Sequence, residues 1–334
     1  MRALLLILAV ALAGCDLFGG DDVVRQDAEA FPVLVDARWG FIDAEGRLLA
    51  PPSYDLADEM VGSRAAIRQG TSWGYAGPDG AVVIAPAYLA AGRFEGPLAP
   101  VQTAEGWGYI DKDGQAVGAA GYDAAEPFSD GRGAVRAGLL WGFVDDRGAV
   151  AVEPAYSAVG KFVEGIAPVR TADGWQFIER DGASAFGGTF EAAGPFSAAG
   201  LAPVREAGSE VWKYVDRSGQ IVLNSNYEAA APFSEGYAAV TVGGRTGFID
   251  ADGDFLVAPK LAEAGPFSEG RAAVRFNNRW TYVSRDDGLI ITSPAFDAAA
   301  PFRGGLGQVT RGEGDELRVG YVDAAGTVVW EPQR

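Results

Sequence analysis

A chain of 334 residues that is 48% hydrophobic and 11% aromatic has ample material for a packed core and is far from a disordered composition. Its formal net charge of −18, from 27 basic and 45 acidic residues, argues against nucleic acid as a partner, because phosphate binding needs clustered Lys and Arg. With no His and a single Cys, Cys15, the composition excludes imidazole general bases, Ser/His/Asp triads, His/Cys metal sites and any disulfide within the chain, so neither a cofactor nor a metal is expected.

The chain opens with a short positive start, Met1-Arg2, and an apolar run over residues 3–13 that is too short to span a bilayer as a helix. The run ends in Leu12-Ala13-Gly14-Cys15, which resembles the bacterial lipobox. The resemblance implies cleavage before Cys15 and acylation of that residue. Three acyl chains, at roughly 0.8 kcal/mol per buried CH₂, would then hold the protein on a membrane. Residues 1–14 are therefore read as a lipoprotein signal peptide, and the acidic, Gly-containing stretch 15–30 as a tether. Asp16 resembles an inner-membrane retention signal, whereas in other envelopes acidic residues beside the acylated Cys resemble a surface-export signal. The expected location is the bacterial cell envelope outside the cytoplasm, with the inner and outer membranes both open.

From residue 31 to residue 334 one pattern recurs. Trp-Gly or a variant begins at Trp39, Trp73, Trp107, Trp141, Trp175, Trp212, Thr246, Trp280 and Val319, at steps of 34, 34, 34, 34, 37, 34, 34 and 39 residues. Such a period marks a single supersecondary unit copied about nine times. Three segments in each unit have strand character: an Ala-Val or Ala-Pro-Val segment, the Trp-Gly-aromatic-Ile/Val-Asp run, and a Val/Ile run that often ends at Pro. Between the last two lies an Asp-x-x-Gly turn, as at Asp111-Lys112-Asp113-Gly114 and Asp145-Asp146-Arg147-Gly148, with the Asp bonding to backbone ahead of it and the Gly accepting positive φ.

Two further apolar rows keep near-fixed register. Tyr54, Tyr88, Tyr122, Tyr156, Phe190, Tyr227 and Leu261 follow the Trp position by fifteen residues, and Met60, Phe94, Phe128, Phe162, Phe196, Phe233, Phe267 and Phe302 come next. A three-stranded sheet cannot bury both of its faces alone, so the Trp, Tyr and Phe rows are expected to form a stacked interior.

The sequence Trp-Gly-Tyr/Phe-Ile/Val-Asp-x-x-Gly, then Pro-x-Tyr, then Phe-Ser-Glu-Gly-x-Ala-x-Val, resembles the WG-repeat family of bacterial proteins over about residues 33–330. The resemblance implies β-repeat domains without established catalysis, often on secreted or envelope proteins and engaged in binding. Departures occur at Thr246 for Trp, at Gln176, Lys213 and Thr281 for the motif Gly, and at Leu261 for Tyr. The fold class expected is all-β: a tandem repeat of about nine three-stranded antiparallel units. The Phe-x-x-Gly-x-Ala-x-Val lead resembles propeller repeats and favours a propeller-like ring over an open β-solenoid, although nine units of 34 residues are many and short for blades.

The acidic turns at Asp111 and Asp250 resemble the start of a calcium loop, but they lack the later carboxylate that completes one, and a β-hairpin already explains Asp and Gly there. Glu164-Gly165, Glu235-Gly236 and Glu269-Gly270 recur at one place in their units, which argues against a unique catalytic pair. The function expected is a lipid-anchored binding or scaffold protein of the cell envelope, without catalysis, whose repeat surface meets an envelope protein or polysaccharide. The alternative is a propeller-type hydrolase that acts on envelope glycans with Asp and Glu alone. The discriminating feature is asymmetry, since an enzyme should gather non-repeating polar residues on one face. Deviations collect at residues 206–210 and 311–318, both in the turn before the Trp strand, where loop growth is tolerated.

Overall fold

A computed structural model describes residues 30–291 and 295–333. Cys15, the signal peptide and the tether before Ala30 lie outside the described residues. The repeats form nine small antiparallel sheets, which close into a nine-bladed β-propeller rather than an open solenoid.

Blade two shows the common plan. A two-residue innermost strand, Leu56–Ala57, pairs with Ala65–Gln69, which pairs with Ser72–Ala76, which pairs with the outer strand Val82–Tyr88. Three of these strands are the segments legible in the sequence. The fourth lies in the connector between the Tyr and Phe rows, where two alanines or a Leu-Ala or Ala-Val pair give too short a run to read as a strand. Because that strand is only two residues long, a four-stranded blade fits into 34 residues. Six blades have four strands, and the three-stranded ones are blade one, starting at Phe31–Val35, blade five, ending at Gly174–Glu179, and blade eight, ending at Arg279–Ser284.

The motif Gly is explained by the strand opposite it. A Cβ added at Gly74 would lie 2.4 Å from Ile84 O and 2.7 Å from Pro86 N, and at Gly142 it would lie 2.4 Å from Val152 O and 2.6 Å from Pro154 N. The outer strand bulges at that point, where the register shifts between Trp73 and Tyr75. Gly and Pro are therefore two halves of one contact. The Pro also removes an N–H from the exposed outer edge, which discourages pairing with another molecule. Where the motif Gly is replaced, the opposing strand differs as well. Lys213 faces Ile221–Tyr227, which has no Pro, and Gln176 and Thr281 sit in blades five and eight, where only isolated bridges remain beside the third strand.

The blades are joined by the aromatic residue two places after the Trp position. Its ring meets the Phe row of the next blade edge-on, with centroids 5.0 Å apart for Tyr75 and Phe94, 4.9 Å for Tyr109 and Phe128, 4.8 Å for Phe143 and Phe162, and 4.8 Å for Tyr282 and Phe302. Where that residue is Tyr, its hydroxyl also donates to the backbone of the next blade, as Tyr109 does to Glu126 O at 2.7 Å and Tyr214 to Ala231 O at 2.7 Å.

The ring closes by the same device. Tyr321 of blade nine packs edge-on against Phe31 of blade one at 5.5 Å and donates to Pro32 O at 2.8 Å, the counterpart of the bond from Tyr282 to Gln308 O within the array. Ala30, Phe31, Val33, Leu306, Val319 and Tyr321 belong to one buried cluster across this seam. Burial pushes the Tyr321 hydroxyl well above the ordinary phenol range, which favours its protonated, donating form.

Tyr321→Phe, which leaves Pro32 O without this donor and Gln308 Nε2 without its acceptor, is expected to lower unfolding free energy by about 1–3 kcal/mol in urea titration. Gly142→Ala, which forces a methyl onto the Val152–Pro154 backbone, is expected to cost at least about 1–3 kcal/mol, read in the same titration.

Candidate functional site

The two faces of the ring differ. On one face lie the Asp-x-x-Gly hairpins and the turns between innermost and second strands, which are linked from blade to blade. Arg64 of blade two, for example, donates from Nε and Nη2 to Lys112 O in the hairpin of blade three, at 3.1 and 2.9 Å. On the other face lie the turns between second and third strands, where every motif Trp sits.

The acidic face is built from internal hydrogen bonds. Asp111 Oδ1 accepts from Asp113 N at 3.0 Å and Gln115 N at 2.8 Å, and Asp145 and Asp250 repeat the pattern. Backbone donation holds the Asp145 carboxyl below the usual carboxylate range. These are turn-capping carboxylates, and among the described residues no three His, Cys, Asp or Glu side chains gather as a metal site. Glu235 accepts from Glu269 N and Gly270 N at 2.6 and 2.8 Å, and Glu269 accepts from Gly304 N and Gly305 N at 2.7 Å each. The recurring glutamates thus staple successive blades, and Glu235 and Glu269 carry the positive φ of their turns. Glu164 shares that conformation, and its carbonyl accepts from Arg217 Nη2.

On the opposite face the Trp and Tyr rows meet. Trp73 lies directly across from Tyr88, Trp107 from Tyr122, Trp141 from Tyr156 and Trp212 from Tyr227, so the fifteen-residue spacing is a cross-strand pair. Thr246 opposite Leu261 shows both members changing together. Trp280 finds its partner in Phe296, sixteen residues on, which a fixed spacing misses. The Phe row is fully buried, as expected, but Trp73, Trp107, Trp141, Trp175, Trp212 and Trp280 are only half-buried, so this row caps the core instead of filling it.

An arginine row on the second strands covers the tryptophans. The guanidinium carbon of Arg68 lies 5.9 Å from the Trp73 ring centre, that of Arg136 5.6 Å from Trp141, and that of Arg205 5.9 Å from Trp212, within cation–π range. Arg170 and Arg275 pair across the strands with Trp175 and Trp280. The sequence carried this signal, since Arg precedes Trp by five residues in four units. The loop growths at residues 206–210 and 311–318 emerge on the same face, the second as a short 3₁₀ turn at Gly314–Glu316.

A second, non-repeating feature lies at the axis. In five units the residue before the Phe row is Pro, but in blades two, three and five it is Glu59, Arg93 and Lys161. Arg93 clasps Asp58 through two bonds of 2.9 and 2.6 Å and reaches Glu59 at 3.2 Å. Glu59 also meets Arg303 of blade nine at 3.2 Å, and Lys161 meets Glu95 of blade three at 3.0 Å. Blades that are not neighbours touch only where they converge, so these pairs mark the axis. Burial pushes the Asp58 carboxyl up, but the Arg93 guanidinium more than offsets this and holds it below its ordinary 3.8. Beside Glu59 and Arg303, a cleft walled by Phe31, Met60 and Leu306 encloses about 20 Å³, room for a single water.

A family model described as a WG-containing repeat matches residues 39–70, 73–105, 107–138, 141–175, 212–245 and 247–280, together more than half of the chain. The chain belongs to the WG-repeat family. Residues 176–211, and the chain after residue 280 with blade nine, fall outside the matched segments of this WG-repeat protein. No curated protein matches its sequence. Among solved structures it is similar to one titled a eukaryotic initiation factor, at 11% identity and a TM-score of 0.63 over 90% of this chain and 94% of that one. It is also similar to AztD of Citrobacter koseri, at 11% identity and 0.46 over 90% and 92% of the two chains, and to the dihydro-heme d1 dehydrogenase NirN, at 14% and 0.47 over 90% and 72%. At such identities the first likeness shows the fold alone.

Glu59→Gln should loosen the contact among blades nine, two and three and lower the melting temperature, while a paired Glu59→Gln, Arg303→Gln variant should recover part of the loss, as a double-mutant cycle would show. The Asp58 contribution is fully present above its unfolded value and fades as pH falls through the lowered folded one. Asp58→Asn should therefore destabilise the ring at pH 7 and lose less further stability between pH 5 and pH 3 than the unaltered protein.

Proposed function

We propose that this WG-repeat protein is a non-catalytic binding or scaffold module, lipid-anchored through Cys15 at the bacterial cell envelope and meeting an envelope protein or polysaccharide through its repeat surface. The observation that carries the reading is the row of half-buried tryptophans on one face, with arginines laid over those of blades two, four and six. A surface made of near-equivalent sites suits recognition of an extended partner, and its aromatic and Arg content is that of interaction surfaces.

The axial carboxylates are where a hydrolase using Asp and Glu alone would work. Such an enzyme needs one carboxyl raised to serve as an acid, whereas Asp58 is held low by Arg93, and Glu59 and Glu95 are each ion-paired. That arrangement favours a structural part for the cluster and supports the binding reading. The anchor follows from the lipobox-like residues before Cys15. Ala30 enters blade one on the acidic face, so an anchored ring would turn its tryptophan face away from the membrane.

The reading predicts that the fragment 16–334 retains a saturable partner from solubilised envelope proteins or isolated cell-wall polysaccharide, and that Cys15→Ser releases the full chain from membranes in fractionation. Retention of nothing at any ionic strength would count against a binding module, and membrane association that survives Cys15→Ser would count against the lipid anchor.

A further inference from the structure

We propose that the tryptophan-stacked arginines Arg68 and Arg136 are anion sites that take the carboxylates of an acidic, uronate-bearing polysaccharide laid across the tryptophan face, with Arg205 as a weaker third site. The inference rests on the reading of the protein as a binding module and names the chemistry of its ligand.

The first support is the state of the arginines. Nε of Arg68, Arg136, Arg205 and Arg275 is buried and makes no hydrogen bond among the described residues, at one equivalent position in four blades. Arg205 and Arg275 each meet a carboxylate, Glu191 at 3.3 Å and Glu263 at 2.8 Å, but no ion pair joins the Arg68 or Arg136 side chain to any described carboxylate. With Nε buried, the donors such an arginine can offer a carboxylate are its two Nη ends, and a guanidinium already held over an indole loses little freedom on binding.

The second is the fate of the nearby acids. Each acid that begins the link after an outer strand points into a turn of its own blade. Asp55 accepts from Gly70 N at 2.7 Å, Asp123 from Gly138 N at 2.6 Å, and Glu228 from Gly243 N and Gly244 N at 2.7 and 2.9 Å. Asp55 is further engaged by Arg38. These carboxylates are occupied by backbone donors beside the arginines, whereas the other face carries the acidic hairpins. The hairpin carboxylates thus lie away from the arginines, and the glutamates of the loops at 206–210 and 311–318 stand on blades six and nine, so an anionic chain meets Arg68 and Arg136 on blades two and four.

The third is repetition. Arg68/Trp73, Arg136/Trp141 and Arg205/Trp212 stand on blades two, four and six, each with an aromatic across the strand in Tyr88, Tyr156 and Tyr227. A polymer with a carboxylate at a regular interval and sugar rings between fits a repeated guanidinium with aromatic surface beside it. A folded acidic protein would present no such period.

The test uses the fragment 16–334, whose ring closes within residues 31–333, with polygalacturonate oligosaccharides as probe and their methyl esters as the uncharged control. Titration calorimetry at two salt concentrations is expected to show binding that weakens with salt and is about tenfold or more weaker for the esters. Arg68→Gln combined with Arg136→Gln should weaken binding of the acid form by about tenfold or more, Arg205→Gln alone by less, and the corresponding Arg→Lys pair to an intermediate degree, with thermal melts of each variant confirming a folded ring. Equal binding of acid and ester, or unchanged binding by the Arg68→Gln, Arg136→Gln variant, would overturn the proposal. If polygalacturonate is not bound while a solubilised envelope protein is retained, the proposal falls and the binding module stands; if neither is bound, both fall.

Discussion

The contact on which the ring depends is the edge of an aromatic ring, two residues after each Trp position, set against the Phe row of the next blade. A blade of this size is a thin sheet that cannot shield both faces from water, so its stability is held in the interfaces with its neighbours. The edge-on geometry suits the quadrupoles of the two rings, and the tyrosines add a hydroxyl bond to backbone carbonyls of the next blade. Because Tyr321 makes the same contact to Phe31 and Pro32, the last interface has the chemistry of the internal ones, and the array ends in closure instead of in an exposed cap.

That constraint frees other positions for other uses. The Trp row need not fill the interior, since the Phe row already does, and it sits half-buried under arginines at one end of the blades. The Gly beside each Trp is not there for flexibility; it admits the close approach of the outer strand, at a Pro in most blades and at Ala120 in blade three, and in blades five, six and eight, where that strand loses its Pro or its pairing, the Gly is replaced. Degeneration of the motif in blades five, six and eight is therefore coordinated within each blade, while the interfaces between blades persist through Phe177 and Phe196, Tyr214 and Phe233, and Tyr282 and Phe302.

Most of the acidic side chains that make the chain so strongly negative are committed to its architecture. Asp residues cap hairpins, glutamates staple turn to turn, and Asp58, Glu59 and Glu95 bind cations across the axis. The chain enters the ring on the acidic face, at Ala30, and the Arg–Trp row lies on the far face.

Read alone, the sequence determined the period, the all-β class, the hairpin turns and the buried Phe row, because a fixed spacing of turn residues and apolar positions reports local geometry directly. It also contained the Trp–Tyr spacing, whose meaning as a cross-strand pair needed the register of two strands. Only the tertiary structure decided that nine units close, because closure rests on Tyr321 meeting residues 289 positions away. The two-residue innermost strands were equally hidden, since their pairing partners supply the order that their own length cannot. The axial network joins Glu59, Arg93 and Arg303 from three blades, and proximity of that kind leaves no mark on spacing; it arises where the blades of a ring converge.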